Sequence, residues 1–296
     1  IEQKSGGNYL PENASWAKQT IAHNTLTING ASHFGGDYSI GSKHHSERYV
    51  FDNSKPGTQV VSAKERHAYP GTVLHRTMAV IEDATLSKPL VLDILKVSGA
   101  QPTTVLDLPF YFLGQVLDTN FSYEAADVLV PLGKDNGYQH LFLEASGVPE
   151  SPSSQFTWMN ARKFYTLTTA STSDDIFHFV RIGANDPDFN LRREPGFLIR
   201  RIAGPNSLFV NVIEPHGHYN PVTELATDAR PGVVGLNVLY DDECHTVVGI
   251  DLNSGGRFMF AMANQDASAS AQHMLEVSGD VLSWTGPFVL RPSGEP

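Results

Sequence analysis

The chain has 296 residues, enough for one large domain or two smaller ones, and its 41% hydrophobic and 18% charged residues suit a globular protein. No apolar run approaches the roughly 18 residues that a membrane-spanning helix needs, so membrane insertion is not expected. A formal net charge of −11 argues against nucleic acid or an acidic membrane surface as partner, and Cys244, the single cysteine, permits neither an intrachain disulfide nor a cysteine-based metal cluster.

The opening stretch IEQKSGGNYL starts at Ile1 and has neither a basic n-region nor an apolar h-region, so the chain reads as an internal or processed segment. Tyr9 lies in the loop GGNYLPEN; by residue type alone, a loop-tip aromatic is more often a packing anchor than a catalyst. His23 lies in TIAHNTLTING, a strand-like run entering a turn at Asn29-Gly30, and by composition alone it is a histidine near a sheet edge. Gly35-Gly36 suggests a second tight hairpin connection. Asp37, His44 and His45, with His33 nearby, match no ligand spacing and read as a solvated polar loop before a metal cluster.

Strand-sized runs rich in valine, isoleucine, phenylalanine and tyrosine follow at Thr58–Ala63, Thr72–Asp83, Leu90–Val97, Phe164–Thr169, Ile176–Ile182, Ser207–Ile213, Val233–Tyr240, His245–Leu252 and Arg257–Ala263. The 25 glycines and 18 prolines are scattered among them and leave little room for long helices. The expected fold is all-β, with stacked antiparallel sheets of the β-sandwich or jelly-roll kind. Ala145–Gln155 reads as a surface loop within one sheet system. His216 and His218 alternate along a strand, so they are expected on one face, as a structural or groove-lining pair before a metal site. Val277–Val289 suggests a last hairpin, and Arg291–Pro296 a tail.

Several segments resemble one family. QKSGGNYLPENASWAKQTIAHNTLTING at 3–30 is similar to the stretch joining the two halves of family 17 polysaccharide lyases, the oligoalginate lyases of the heparinase II/III-like group. The likeness continues through LDLPFYFLGQVLDTNF at 106–121, LGKDNGYQHLF at 132–142, RIGANDPDFNLRREPGFLIRR at 181–201, VIEPHGHYNPVTELA at 212–226 and VLYDDECHTVVGI at 238–250. The AHNT element alone would reach only the broad heparinase-like group. The 3–30 stretch and ANDPDFNLRREP narrow it to the alginate branch.

The resemblance implies a junction segment at 1–30 carrying an active-site loop, followed at 31–296 by the C-terminal β-sheet domain. The N-terminal (α/α) toroid of such enzymes is missing from the chain. It implies that Tyr9 acts at the scissile bond and that His23 helps hold a structural zinc ion whose other ligands lie upstream. The implied activity is exolytic cleavage of alginate oligosaccharide by β-elimination to an unsaturated monouronate, with the chain inactive by itself. Implied partners are that oligosaccharide and the missing toroid half, with a homodimer left open, in a bacterial periplasm or cell envelope. Two competing readings are a glycosaminoglycan or other uronate lyase of the same group and a non-catalytic carbohydrate-binding β-sandwich.

Overall fold

A computed structural model describes residues 10–186, 191–204 and 206–292. Strand accounts for 57% of the chain and helix for 8%, far below the share that would defeat the all-β expectation. The strand pairings are antiparallel throughout the described residues.

Three sheets stack in layers. The middle one has nine strands, running Glu47–Lys55, Thr58–Tyr69, Thr72–Ile81, Leu90–Ser98, Asn206–Asn220, Lys163–Ala170, Ser153–Asn160 and Gln115–Thr119, with Leu225–Thr227 added beside Asn206–Asn220. An outer sheet of six strands runs Thr27–Ile28, Thr104–Tyr111, Pro195–Ala203, Asp175–Ile182, Leu141–Gly147 and Tyr123–Ala125. The other outer layer has four strands, Val233–Asp241, His245–Leu252, Arg257–Ala263 and Phe288–Pro292, and carries the hairpin Gln272–Val277/Asp280–Thr285 against its far side.

Layering explains the sequence pattern. Leu90–Ser98 (LVLDILKVS) is apolar almost throughout because both its faces are covered. Leu95 and Val97 pack with Leu106, Phe110 and Phe197 of the six-stranded sheet, whereas Leu92 and Ile94 pack with Val248, Ile250 and Phe260 of the four-stranded sheet. Phenylalanines fill the first interface, with the Phe156 and Phe197 ring centroids 4.6 Å apart.

All nine strand-sized runs fall in strands. Asn29-Gly30 forms the expected tight turn, since both residues are left-handed (φ 52° and 67°) and Ile28 bridges to Ala31. Gly35-Gly36 does not join a hairpin. It lies in a 3-10 segment, His33–Gly36, that leads into the short helix Tyr38–Gly41. Nor is Ala145–Gln155 a loop inside one sheet: Leu141–Gly147 belongs to the six-stranded sheet and Ser153–Asn160 to the nine-stranded one, so residues 148–152 carry the chain between layers. Its serines disguised the strand; Ser154 is buried and accepts a hydrogen bond from Ser171 Oγ at 2.8 Å. The last hairpin closes earlier than expected, and Phe288–Pro292 joins the four-stranded sheet instead.

Candidate functional site

Residues 16–28 wrap one edge of the six-stranded sheet. Trp16, Ile21 and Ala22 are buried on its outer face with Tyr111, Leu141 and Leu198. Leu26 and Ile28 are buried on its inner face with Leu106 and Leu108. The chain therefore crosses from one face to the other at 23–25, and His23 sits exposed on that crossing. Ile21 is fully buried, an anchor worth about 1.5–3 kcal/mol.

Hydrogen bonds hold the crossing on both sides of His23. The Tyr111 hydroxyl donates to the carbonyl of Ile21, and the Tyr111 backbone N–H donates to Asn24 Oδ1 at 3.0 Å. Arg76 Nη1 donates to the Asn24 carbonyl, while its Nε and Nη2 grip the buried carboxylate of Asp93 at 2.7 Å each. Further on, Thr27 Oγ1 donates to Tyr138 Oη, which donates to Asp107; Arg200 holds the same carboxylate at 2.8 and 2.9 Å. Burial and the Asp107 charge raise the Tyr138 hydroxyl well above its ordinary pKa, so it stays a neutral donor.

His23 Nε2 lies 3.0 Å from the Ala17 carbonyl. A carbonyl only accepts, so Nε2 carries a proton, and Nδ1 is the nitrogen left to offer a lone pair to a metal. That tautomer suits a metal ligand. Zinc takes three or four ligands, however, and no group of three or more His, Cys, Asp or Glu side chains converges among the described residues. These residues fit zinc as the contributor of one ligand.

A cleft of about 370 Å³ opens beside the crossing, lined by Thr25, His33, Phe34, His44, Glu65 and Arg76. Two of its charged groups are already committed: Glu65 Oε1 accepts from the His67 and Ala68 N–H groups, and Arg76 is held by Asp93. The imidazoles are the adaptable groups. His44 stacks on Phe34 with centroids 5.1 Å apart and lies 5.2 Å from the His67 ring. His33 Nε2 donates to the Leu26 carbonyl at 3.0 Å, and burial holds its pKa below the usual histidine value.

The predicted site residues are therefore only partly placed. Tyr9 lies outside the described residues. Asp37 does not join His33, His44 and His45 around a metal; it caps the helix Tyr38–Gly41, accepting from Ser39 and Ile40 N–H. His216 and His218 do not form a pair, because the register slips at Gly217. His216 is buried between Thr166 Oγ1 at 2.9 Å and the Asp228 carbonyl at 2.7 Å, and His218 is exposed. Asn24, Arg76 and Tyr111 were not singled out from sequence. A charged Asp93 inside the apolar run LVLDILKV was the available signal that a cation reached it from a neighbouring strand.

The profile of the heparinase II/III-like C-terminal family matches residues 3–204. The chain belongs to this family. It is 40% identical over 288 residues to an alginate lyase of Stenotrophomonas maltophilia, and 37% identical over 293 residues to an exo-oligoalginate lyase of Saccharophagus degradans. Each alignment covers 97% of this chain but only 38% and 39% of the respective relative, so the chain spans well under half of their length. Among solved structures, a heparinase III gene product superposes with a TM-score of 0.56 over 88% of this chain and 33% of its own, at 10% identity. That likeness concerns the fold of this heparinase-like chain and nothing finer.

Proposed function

We propose that this heparinase-like chain is the β-sheet portion of a lyase that cleaves alginate oligosaccharides exolytically by β-elimination, releasing an unsaturated monouronate. One observation carries the reading: two relatives named for alginate lysis are 37–40% identical across nearly the whole chain. The secured crossing at His23 and the imidazole-lined cleft beside it are the region we assign to that activity.

In β-elimination the C5 proton of a uronate passes to a base, the electron pair forms a C4=C5 double bond, and the C4–O bond breaks. The departing oxygen takes a proton from an acid. Tyr9 is the proposed proton-transfer residue, a role in which one positioned group contributes about 10²–10⁴ in rate. A tyrosine must be deprotonated to act as base, and a nearby positive charge favours that. Donors that neutralise the sugar carboxylate stabilise the enolate-like charge. We assign these donors and the second acid or base to a preceding portion of the protein. His23 is the proposed zinc ligand from this chain, and the ion, when bound, would fix the position of the junction segment.

The test is cleavage by the full-length protein of alginate oligosaccharides beside heparan-type ones, followed by ultraviolet absorbance of the unsaturated product. Absorbance rising with alginate supports the proposal; absorbance rising only with the heparan-type substrate overturns it.

A further inference from the structure

A second pocket lies on the opposite face of the nine-stranded sheet. Strand alternation separates the two: Ala63, Glu65, Leu74, Arg76 and Leu95 line the cleft beside His23, whereas Lys64, Arg66, His75 and Lys96 line a cavity of about 260 Å³ facing the four-stranded sheet. Lys64 pairs in register with His75, and His75 with Lys96, so the three form one cross-strand row. The row sets the two lysines two strands apart, on either side of one imidazole.

The charges of this row are incompletely offset within the protein. Lys96 Nζ meets Asp241 Oδ1 at 2.7 Å and the Asp242 carbonyl at 2.8 Å. Arg66 pairs with Glu47 at 3.4 Å near the surface, and Glu243 stands on the rim. Lys64 is 8% exposed, yet among the described residues its ammonium meets only the Asn264 carbonyl at 2.6 Å and the face of the Tyr49 ring, 4.0 Å from its centroid. Among the described residues no carboxylate lies within ion-pair distance of it, although Glu47 stands opposite it on the adjacent strand. Burial, then the charge of Arg66, lowers its pKa, with Glu47 opposing.

His75 adds a directional feature. Thr77 Oγ1 donates to Met262 Sδ, so Ser62 Oγ, 2.8 Å from Thr77 Oγ1, must donate to Thr77. Ser62 then accepts from His75 Nε2, also at 2.8 Å. This hydrogen-bond chain leaves His75 Nδ1 with a lone pair, and among the described residues no donor meets it. Burial, followed by the charges of Lys64, Lys96 and Arg66, pushes His75 down to about 3, so the ring stays neutral and Nδ1 remains an acceptor. The pocket thus combines cationic donors with the Nδ1 acceptor of His75, among further polar side chains that include Asn206, Glu243 and Gln265.

We propose that this pocket binds a small hydroxylated carboxylate of the uronate class, with the carboxylate at Lys64 and Arg66 and a hydroxyl donating to His75 Nδ1. A bare inorganic oxyanion meets the cations but brings no hydroxyl to donate to Nδ1, and a neutral sugar brings hydroxyls but no negative charge for the cations. The cavity holds several times the roughly 30 Å³ that one water occupies in the liquid, enough for a single sugar ring. The proposal does not depend on the lyase reading.

The test is calorimetric titration of the full-length protein with glucuronate, inorganic phosphate and glucose. Expected are saturable binding of glucuronate, weaker binding of phosphate and none of glucose. Lys64→Met, which keeps the stem and removes the charge, should weaken glucuronate binding at least about tenfold, as loss of a hydrogen bond to a charged group does. Arg66→Gln, on the exposed rim, should weaken it without risk to folding, and thermal melts of both variants check that they are folded. Cleavage of alginate oligosaccharides should be unchanged in Arg66→Gln, because the pocket lies across the sheet from His23. Absence of glucuronate binding, equal binding by folded Lys64→Met and Arg66→Gln, or phosphate binding more tightly than glucuronate would each overturn the proposal.

Discussion

Tyr111 holds Asn24 from the neighbouring sheet edge: its backbone N–H donates to Asn24 Oδ1 at 3.0 Å while its hydroxyl reaches back to the Ile21 carbonyl. One residue thereby secures both shoulders of His23. Tyr111→Phe removes only the hydroxyl and leaves the carbonyl of Ile21 without its partner. We expect it to lower stability by about 1–3 kcal/mol in denaturant unfolding. Asn24→Ala, at an exposed position, should cost less stability but loosen the crossing, so its loss of lyase turnover should exceed that of Tyr111→Phe relative to their stability losses.

Arg201 and Asp175 form a buried pair, with side chains 6% and 0% exposed and contacts of 2.6 and 2.8 Å. Arg201 also donates to the Leu208 carbonyl and lies over the Phe209 ring, which ties the six-stranded sheet to the nine-stranded one. Asp175→Ala strands the guanidinium and should cost about 3–5 kcal/mol, measured by chemical denaturation. Replacing both residues with apolar ones of similar volume should recover much of that loss.

How much of this was legible in the sequence differs from element to element. Leu90–Val97 and His245–Leu252 were readable because burial on one or both faces leaves an apolar pattern that local chemistry displays. Asn29-Gly30 was readable because a tight hairpin turn demands left-handed residues. Ala145–Gln155 misled because serines can pack in a sheet interior when hydroxyls pair with hydroxyls, as Ser154 and Ser171 do. His23 reached attention through family resemblance. Its supports, Arg76 and Tyr111, are 52 and 87 residues away from Asn24 in sequence, and no local pattern reports a partner at that distance. The row Lys64–His75–Lys96 was hidden for the same reason: each residue looks ordinary until three strands are set side by side.

His178 should make stability depend on pH. Burial first, then the Arg200 charge, pushes its pKa down to about 4, with Asp107 opposing. Between the ordinary value of 6.5 and about 4, the unfolded chain binds a proton that the folded chain does not. The contribution is therefore complete above pH 6.5 and is lost as pH falls through that window, about 3 kcal/mol in all. In His178→Gln the slope of unfolding free energy against pH between 6.5 and 4 should flatten; an unchanged slope would remove His178 as its source.

Metal content separates the chain from the full-length protein. The chain alone is expected to hold no stoichiometric zinc at His23, since no group of three or more His, Cys, Asp or Glu side chains converges among the described residues. In the full-length protein, zinc is expected and His23→Ala should release it, as measured by elemental analysis after dialysis. Tightly bound zinc in the isolated chain, lost on His23→Ala, would mean that ligands from these 296 residues complete the site.

The most direct test of the account is turnover of alginate oligosaccharide by full-length Tyr9→Phe, read as absorbance of the unsaturated uronate and run beside a thermal melt. Removing one phenolic hydroxyl from the proposed base should lower turnover at least about a hundredfold with little change in melting temperature. Near-normal turnover in folded Tyr9→Phe would contradict the assignment of proton transfer to this residue.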